Sequence, residues 1–77
     1  MKRFKLYSTS ACHLCEQAQQ MIEAVAPQPL ELEEVAVSET DELFERYGLL
    51  IPVLQHPDGR EMNWPFAVDA LRAFLES

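Results

Sequence analysis

Over residues 3–25 the chain changes its periodicity once, and both of its cysteines lie on the change. Arg3 to Ser8 is β-prone, carrying Phe4, Leu6 and Tyr7. Beyond it the apolar residues fall at Leu14, Ala18, Met21, Ile22 and Val25, which is the spacing of one helix face. Ser8-Thr9-Ser10-Ala11 breaks the first pattern, and Cys12-His13-Leu14-Cys15 opens the second. Either Ser10 or Ala11 is expected at the helix start, and Ser10 has the better capping chemistry. Pro27 and Pro29 close the helix. A strand leading straight into a helix is the first half of a βαβ unit, so a second, parallel strand is required.

That strand is supplied by Leu30-Glu31-Leu32-Glu33, which alternates and continues to about Val37. Its alternation slips at Glu33-Glu34, which reads as a bulge. Ser38 or Thr40 caps a second helix with Asp41 and Glu42 in its first turn, where the dipole favours anions. Leu43, Phe44 and Tyr47 are its expected inner face, and Gly48 its C-terminal stop. Pro52 to His56 reads as a third strand, Pro57-Asp58-Gly59 as a turn, and Arg60 to Asn63 as a fourth strand completing a hairpin. The last helix is expected from about Pro65 to Leu75, with Ala67, Ala70, Leu71, Phe74 and Leu75 as its apolar stripe. The order is β-α-β-α-β-β-α: an α/β domain with a mixed four-stranded sheet and three helices on its two faces. At 77 residues this is a single domain, residues 1–77, and one that has to build its core economically.

Charge narrows the function. Six Lys and Arg stand against thirteen Asp and Glu, for a net charge of −7, and Lys2, Arg3 and Lys5 crowd the N-terminus. Nucleic-acid binding needs cations to displace the counterions of phosphate, so it is not expected. The charged start is followed at once by Ser8-Thr9-Ser10 and not by an apolar core, so it does not read as a secretory signal. No apolar run approaches the ~18 residues of a membrane span. A cytoplasmic, monomeric protein is expected, without membrane or nucleic-acid partners. A purely structural disulfide is out of place in a reducing compartment, so the cysteine pair calls for another role.

At a helix N-terminus, free N–H groups and the dipole favour a thiolate over a thiol. Cys12, nearer the exposed end, is the expected nucleophile. Cys15, one turn on and beneath it, is placed to resolve a mixed disulfide formed on Cys12. A protonated His13 would add to the stabilisation of the thiolate. The same cysteines are open to two other readings. One is half of a zinc site completed by His13 and His56, although that spacing matches no familiar closed site. The other is a pair of inert thiols. The C-x-x-C beside a βαβ pattern nonetheless points first to redox chemistry.

Taken together, Leu6-Tyr7-Ser8, Cys12-His13-Leu14-Cys15 and Tyr47-Gly48-Leu49-Leu50-Ile51-Pro52-Val53 resemble the glutaredoxin branch of the thioredoxin superfamily, in its small C-H-L-C variety. The resemblance runs through nearly the whole chain in element order. It implies a thioredoxin-like, glutaredoxin-type fold and a thiol–disulfide oxidoreductase acting on protein or glutathione mixed disulfides. By the same resemblance Cys12 and Cys15 are catalytic and Pro52 is a cis-proline facing them. The backbone of Ile51 would hydrogen-bond an extended thiol substrate, and His13 and Leu14 would contact it. No cofactor would be held tightly and no metal bound, glutathione serving as co-substrate. The partner would be a disulfide-bearing protein or a small thiol. The sequence departs from the family in three places. His13-Leu14 stands where Pro-Tyr is usual, and Thr9 lies where many members carry a lysine. Met62-Asn63-Trp64-Pro65-Phe66 replaces the glycine-bearing turn that holds the γ-glutamyl end of glutathione. Trp64 is expected to cap the core there. Two alternatives follow from the same fold: a binding scaffold with little chemistry, or a metal or Fe–S carrier.

Overall fold

A computed structural model describes residues 2–10, 12–27 and 29–77. Its elements are β1 (Arg3–Ser8), α1 (His13–Val25), β2 (Glu31–Ala36), a 3₁₀ turn (Val37–Glu39), α2 (Asp41–Tyr47), β3 (Val53–Gln55), β4 (Glu61–Asn63) and α3 (Val68–Glu76). The sheet order is β2-β1-β3-β4. β1 and β2 are parallel, and the β1–β3 and β3–β4 pairs are antiparallel. This is the element order and mixed sheet that the sequence implies.

The sheet separates two cores. On one face α1 and α3 pack onto Phe4, Leu6 and Leu54 through Ala18, Ile22, Leu71 and Leu75, with Phe66 in the same cluster. On the other face α2 and the 3₁₀ turn bring Tyr47 and Val37 onto Tyr7 and Val53. The assignment follows from the pleat. Phe4 and Leu6 point to one side, and Tyr7, at an odd position, points to the other. Burial of these side chains, at roughly 25 cal/mol per Å² of apolar surface, is the main support of so small a domain.

Several local expectations are corrected. β1 and β2 run in unbroken register from Arg3↔Glu31 to Ser8↔Ala36, so there is no bulge at Glu33-Glu34. In α2, Leu43 and Tyr47 pack inward, but Phe44 is exposed, because a helix of 7 residues has room for only a narrow inner stripe. Gly48 keeps a right-handed conformation at φ −54° and donates to the Phe44 carbonyl, so it does not form the left-handed stop. Leu14 is also exposed and lies outside the core. α3 begins at Val68, later than Pro65, because Phe66 is first drawn into the core. Its inner face is Leu71, Phe74 and Leu75, while Ala67 and Ala70 are exposed.

The far end of the sheet is closed by His56. Its buried ring lies edge-on between Phe4, at 5.0 Å, and Phe74, at 5.6 Å. Nε2 is 2.7 Å from the main-chain oxygen of Ser77, and Nδ1 accepts from the Asp58 amide at 3.1 Å. His56 follows Gln55, the register partner of Lys5, so it belongs to the end of β1 away from the cysteines.

Candidate functional site

Cys12 and Cys15 form a disulfide with their Cα atoms 5.3 Å apart. The spacing permits this because residues i and i+3 of a first helical turn lie on one face. Cys12 itself is the N-cap of α1, in extended conformation at φ −109°, with its Sγ accepting from the Cys15 amide at 3.2 Å. Its carbonyl accepts from the Glu16 amide at 3.1 Å. The cap is therefore the cysteine and not Ser10, while Ala11, the other candidate, lies outside the described residues. A sulfur in this position sits at the positive end of the helix with a backbone N–H already aimed at it. Cys12 is half-buried and Cys15 is 5% exposed. An incoming molecule therefore meets Cys12 first.

The disulfide opens into a cleft of about 260 Å³ between α1 and the β1–β2 edge. Besides the cysteines it is lined by Ser8, Thr9, Ser10, Glu16, Gln19 and Glu34, with Leu6 at its base. Glu34 was not legible as a site residue. It is the register partner of Leu6 and so lies on the α1 side of the sheet, in a row with Leu32 and Ala36. The slip in the alternation at Glu33-Glu34 was its only signal in the sequence. Glu16 lies in the first turn of α1, where the dipole favours an anion, 3.9 Å from His13 Nδ1 in open solvent.

Of the remaining candidates, Ile51 and Pro52 lie on the β3 side of β1, away from the cleft. Pro52 is buried and its peptide bond with Ile51 is cis. Tyr7 pairs with Val53, so one more step of the antiparallel register brings Pro52 alongside Ser8, at the cysteine end of the sheet. Ile51 is half-buried, but neither it nor Pro52 lines the cleft. Leu14 is 46% and Leu50 is 50% exposed. His13 projects into solvent. Trp64 packs against the α1–α3 core, edge-on to Phe66 at 5.2 Å, and its amide donates to the Pro52 carbonyl at 3.3 Å. It thus caps the core as expected, and its bond to Pro65 is also cis. The two histidines are not brought together: β1 separates them by roughly 15 Å of strand.

A family model for a glutaredoxin-like domain (DUF836) matches residues 3–76. The chain belongs to the glutaredoxin-like domain family. Two solved structures of XcR50, a structural-genomics target protein from X. campestris, are similar to it. The X-ray structure is 37% identical, covers 95% of each chain and superposes with a TM-score of 0.84. The solution structure is 37% identical, covers 99% of this chain and 94% of the other, and superposes with a TM-score of 0.83. No curated protein matches. This glutaredoxin-like domain therefore has the thioredoxin-like fold with a disulfide-bonded C-x-x-C at its first helix. Among its described residues no helix is long and apolar enough to cross a membrane.

Proposed function

We propose that this glutaredoxin-like domain is a thiol–disulfide oxidoreductase whose Cys12–Cys15 pair cycles between disulfide and dithiol. The observation that carries the reading is the disulfide at the helix N-terminus, with its outer sulfur capping the helix and its inner sulfur buried. A thiolate at Cys12 would keep the Cys15 amide as donor and gain from the dipole, which lowers a cysteine's pKa.

In the reducing direction the Cys12 thiolate attacks one sulfur of the substrate disulfide. The substrate S–S bond breaks, a Cys12–substrate disulfide forms, and the other substrate sulfur leaves as a thiolate that takes up a proton. Cys15 then loses its proton and attacks Cys12 Sγ, which releases the second substrate thiol. Two electrons pass from the dithiol to the substrate, and Cys12–Cys15 is left oxidised. An external thiol or dithiol reverses the sequence to restore the dithiol. Ile51 and Pro52, at the same end of the sheet, would meet an extended substrate chain.

The test is a redox titration with alkylation of free thiols and mass detection. Reversible pairing of Cys12 with Cys15 is expected at a potential of about −270 to −200 mV. The Cys15→Ser variant should trap mixed disulfides on Cys12, and Cys12→Ser should trap none. If the thiols fail to pair under mild oxidant, or if Cys12→Ser retains full turnover, the reading is wrong.

A further inference from the structure

The proposed chemistry leaves open which disulfides the cleft accepts, and its lining is unusual on that point. Among the described residues, the charged side chains on it are the carboxylates of Glu16 and Glu34, and no Lys or Arg lines it. Four of the six basic residues are engaged elsewhere: Arg3 with Glu31 at 3.0 Å, Arg60 with Asp58 at 2.7 Å, and Arg46 over the Tyr47 ring at 5.3 Å. Lys2 reaches the main chain at Glu76 and Ser77.

Glu34 is the informative member. It follows Leu32 in the row that faces α1 and lies beside Leu6, which is 1% exposed. It is itself exposed, and its carboxylate borders the cleft and not the core. Among the described residues Glu34 has no ion-pair partner, and Glu16 has only the distant, solvent-exposed His13. Two carboxylates without a cation therefore border a reactive disulfide. Leu14, in the first turn of α1, is exposed, and so is Leu50, next to half-buried Ile51 at the cysteine end of the sheet.

We infer that the cleft selects polypeptide disulfides whose cysteine is flanked by Lys or Arg, with Glu16 and Glu34 setting the preference. The inference rests on the oxidoreductase reading and narrows its substrate class. Glutathione brings two carboxylates and one ammonium group, and the cleft offers it repulsion where a cation is needed. A basic polypeptide brings the missing cations to the carboxylates, and its neighbouring apolar side chains meet Leu14 and Leu50. Electron flow is unchanged: two electrons pass from the Cys12/Cys15 dithiol to the polypeptide disulfide, and an external dithiol resupplies them.

The test uses the reduced full chain and three disulfide-linked peptides that differ only in residues flanking the cysteine: Lys, Gln or Glu. The rate of dithiol oxidation is followed by quenched alkylation. Exposed charge pairs are each worth a few-fold at most, so two of them give a Lys-over-Glu ratio of about tenfold at low salt. That ratio should fall below about twofold near 1 M salt, where screening is complete within a few ångströms. The double variant Glu16→Gln/Glu34→Gln should abolish it. A remote pair, Glu45→Gln/Glu76→Gln, removes the same net charge and should preserve it. If the remote pair abolishes the ratio equally, the preference belongs to the chain's overall charge and the inference is overturned. Equal rates on all three peptides overturn it while leaving the oxidoreductase reading intact. Reduction of none of them, the Gln peptide included, removes that reading itself.

Discussion

Leu6 and Glu34 are register partners across the parallel β1–β2 pair, yet one is sealed in the core and the other borders the disulfide cleft. Glu34 is exposed and, among the described residues, has no ion-pair partner, so its carboxylate contributes little to the fold. Glu34→Leu is therefore expected to stabilise the domain. The extra apolar burial is modest, roughly 20 Å², so the gain is about 0.5 kcal/mol in a urea titration. The same variant should lose part of the preference for basic peptides, a trade of function for stability. A variant less stable than the parent would show that Glu34 supports the fold.

Cys12 has a second role, as the N-cap, that can be separated from its redox chemistry. Under reducing conditions Cys12→Ser keeps an acceptor for the Cys15 amide, and Ser is among the best caps. Cys12→Ala leaves that donor without its partner. The alanine variant should be less stable than the serine variant by about 1 kcal/mol, with both inactive. Denaturation in excess reductant measures the difference. Equal stabilities would mean that the cap is supplied by water.

Much of this was legible in the sequence, for reasons that can be traced. β1 is bounded on one side by charge and on the other by a Ser/Thr run, and its limits agree with the structure. The place of the cysteines followed from the change of period at residue 12. The failures are instructive. Glu34 broke an alternation, and a bulge was the local explanation, since only the register shows which face a residue occupies. Ser10 was the better cap by chemistry, but capping is decided by where the chain turns into the helix, which is at Cys12. Phe44 and Leu43 are equally apolar, and nothing local says which one a 7-residue helix will turn inward. Proline statistics placed α3 at Pro65, and the burial of Phe66 moved its start to Val68.

The β3–β4 turn makes a simpler prediction. Gly59 adopts φ +101°, and a Cβ built there meets nothing within 4 Å. Gly59→Ala is then a test of backbone conformation alone, free of steric contact. It should destabilise by about 1 kcal/mol, because an L-residue pays for positive φ. Gly59→Asn, which tolerates that region better, should recover part of the loss. Thermal unfolding of the two variants side by side decides this.

The α2 face makes the domain sensitive to alkali. Tyr47 is 4% exposed, stacked on Tyr7 with ring centroids 4.1 Å apart, and its hydroxyl donates to Glu61 Oε2 at 2.5 Å. Burial, followed by that hydrogen bond to a carboxylate, raises its pKa well above the ordinary phenol value. The sign follows from proton counting. Above pH ~10 an unfolded tyrosine has lost its proton while folded Tyr47 keeps it, so the folded state binds more protons and stability falls as pH rises. The slope from this residue is at most about 1.4 kcal/mol per pH unit, and it begins near pH 10. Tyr47→Phe removes the ionisable group along with the hydrogen bond. Near neutral pH the variant should be less stable by about 1 kcal/mol, since exposed Glu61 regains water when its donor is lost. Between pH 10 and 11.5 its stability should decline less steeply than the parent's, so the two curves converge. Parallel curves over that range would show that the phenol ionises with equal ease in the folded and unfolded chains, and the protection assigned to burial and the Glu61 hydrogen bond would have to be withdrawn.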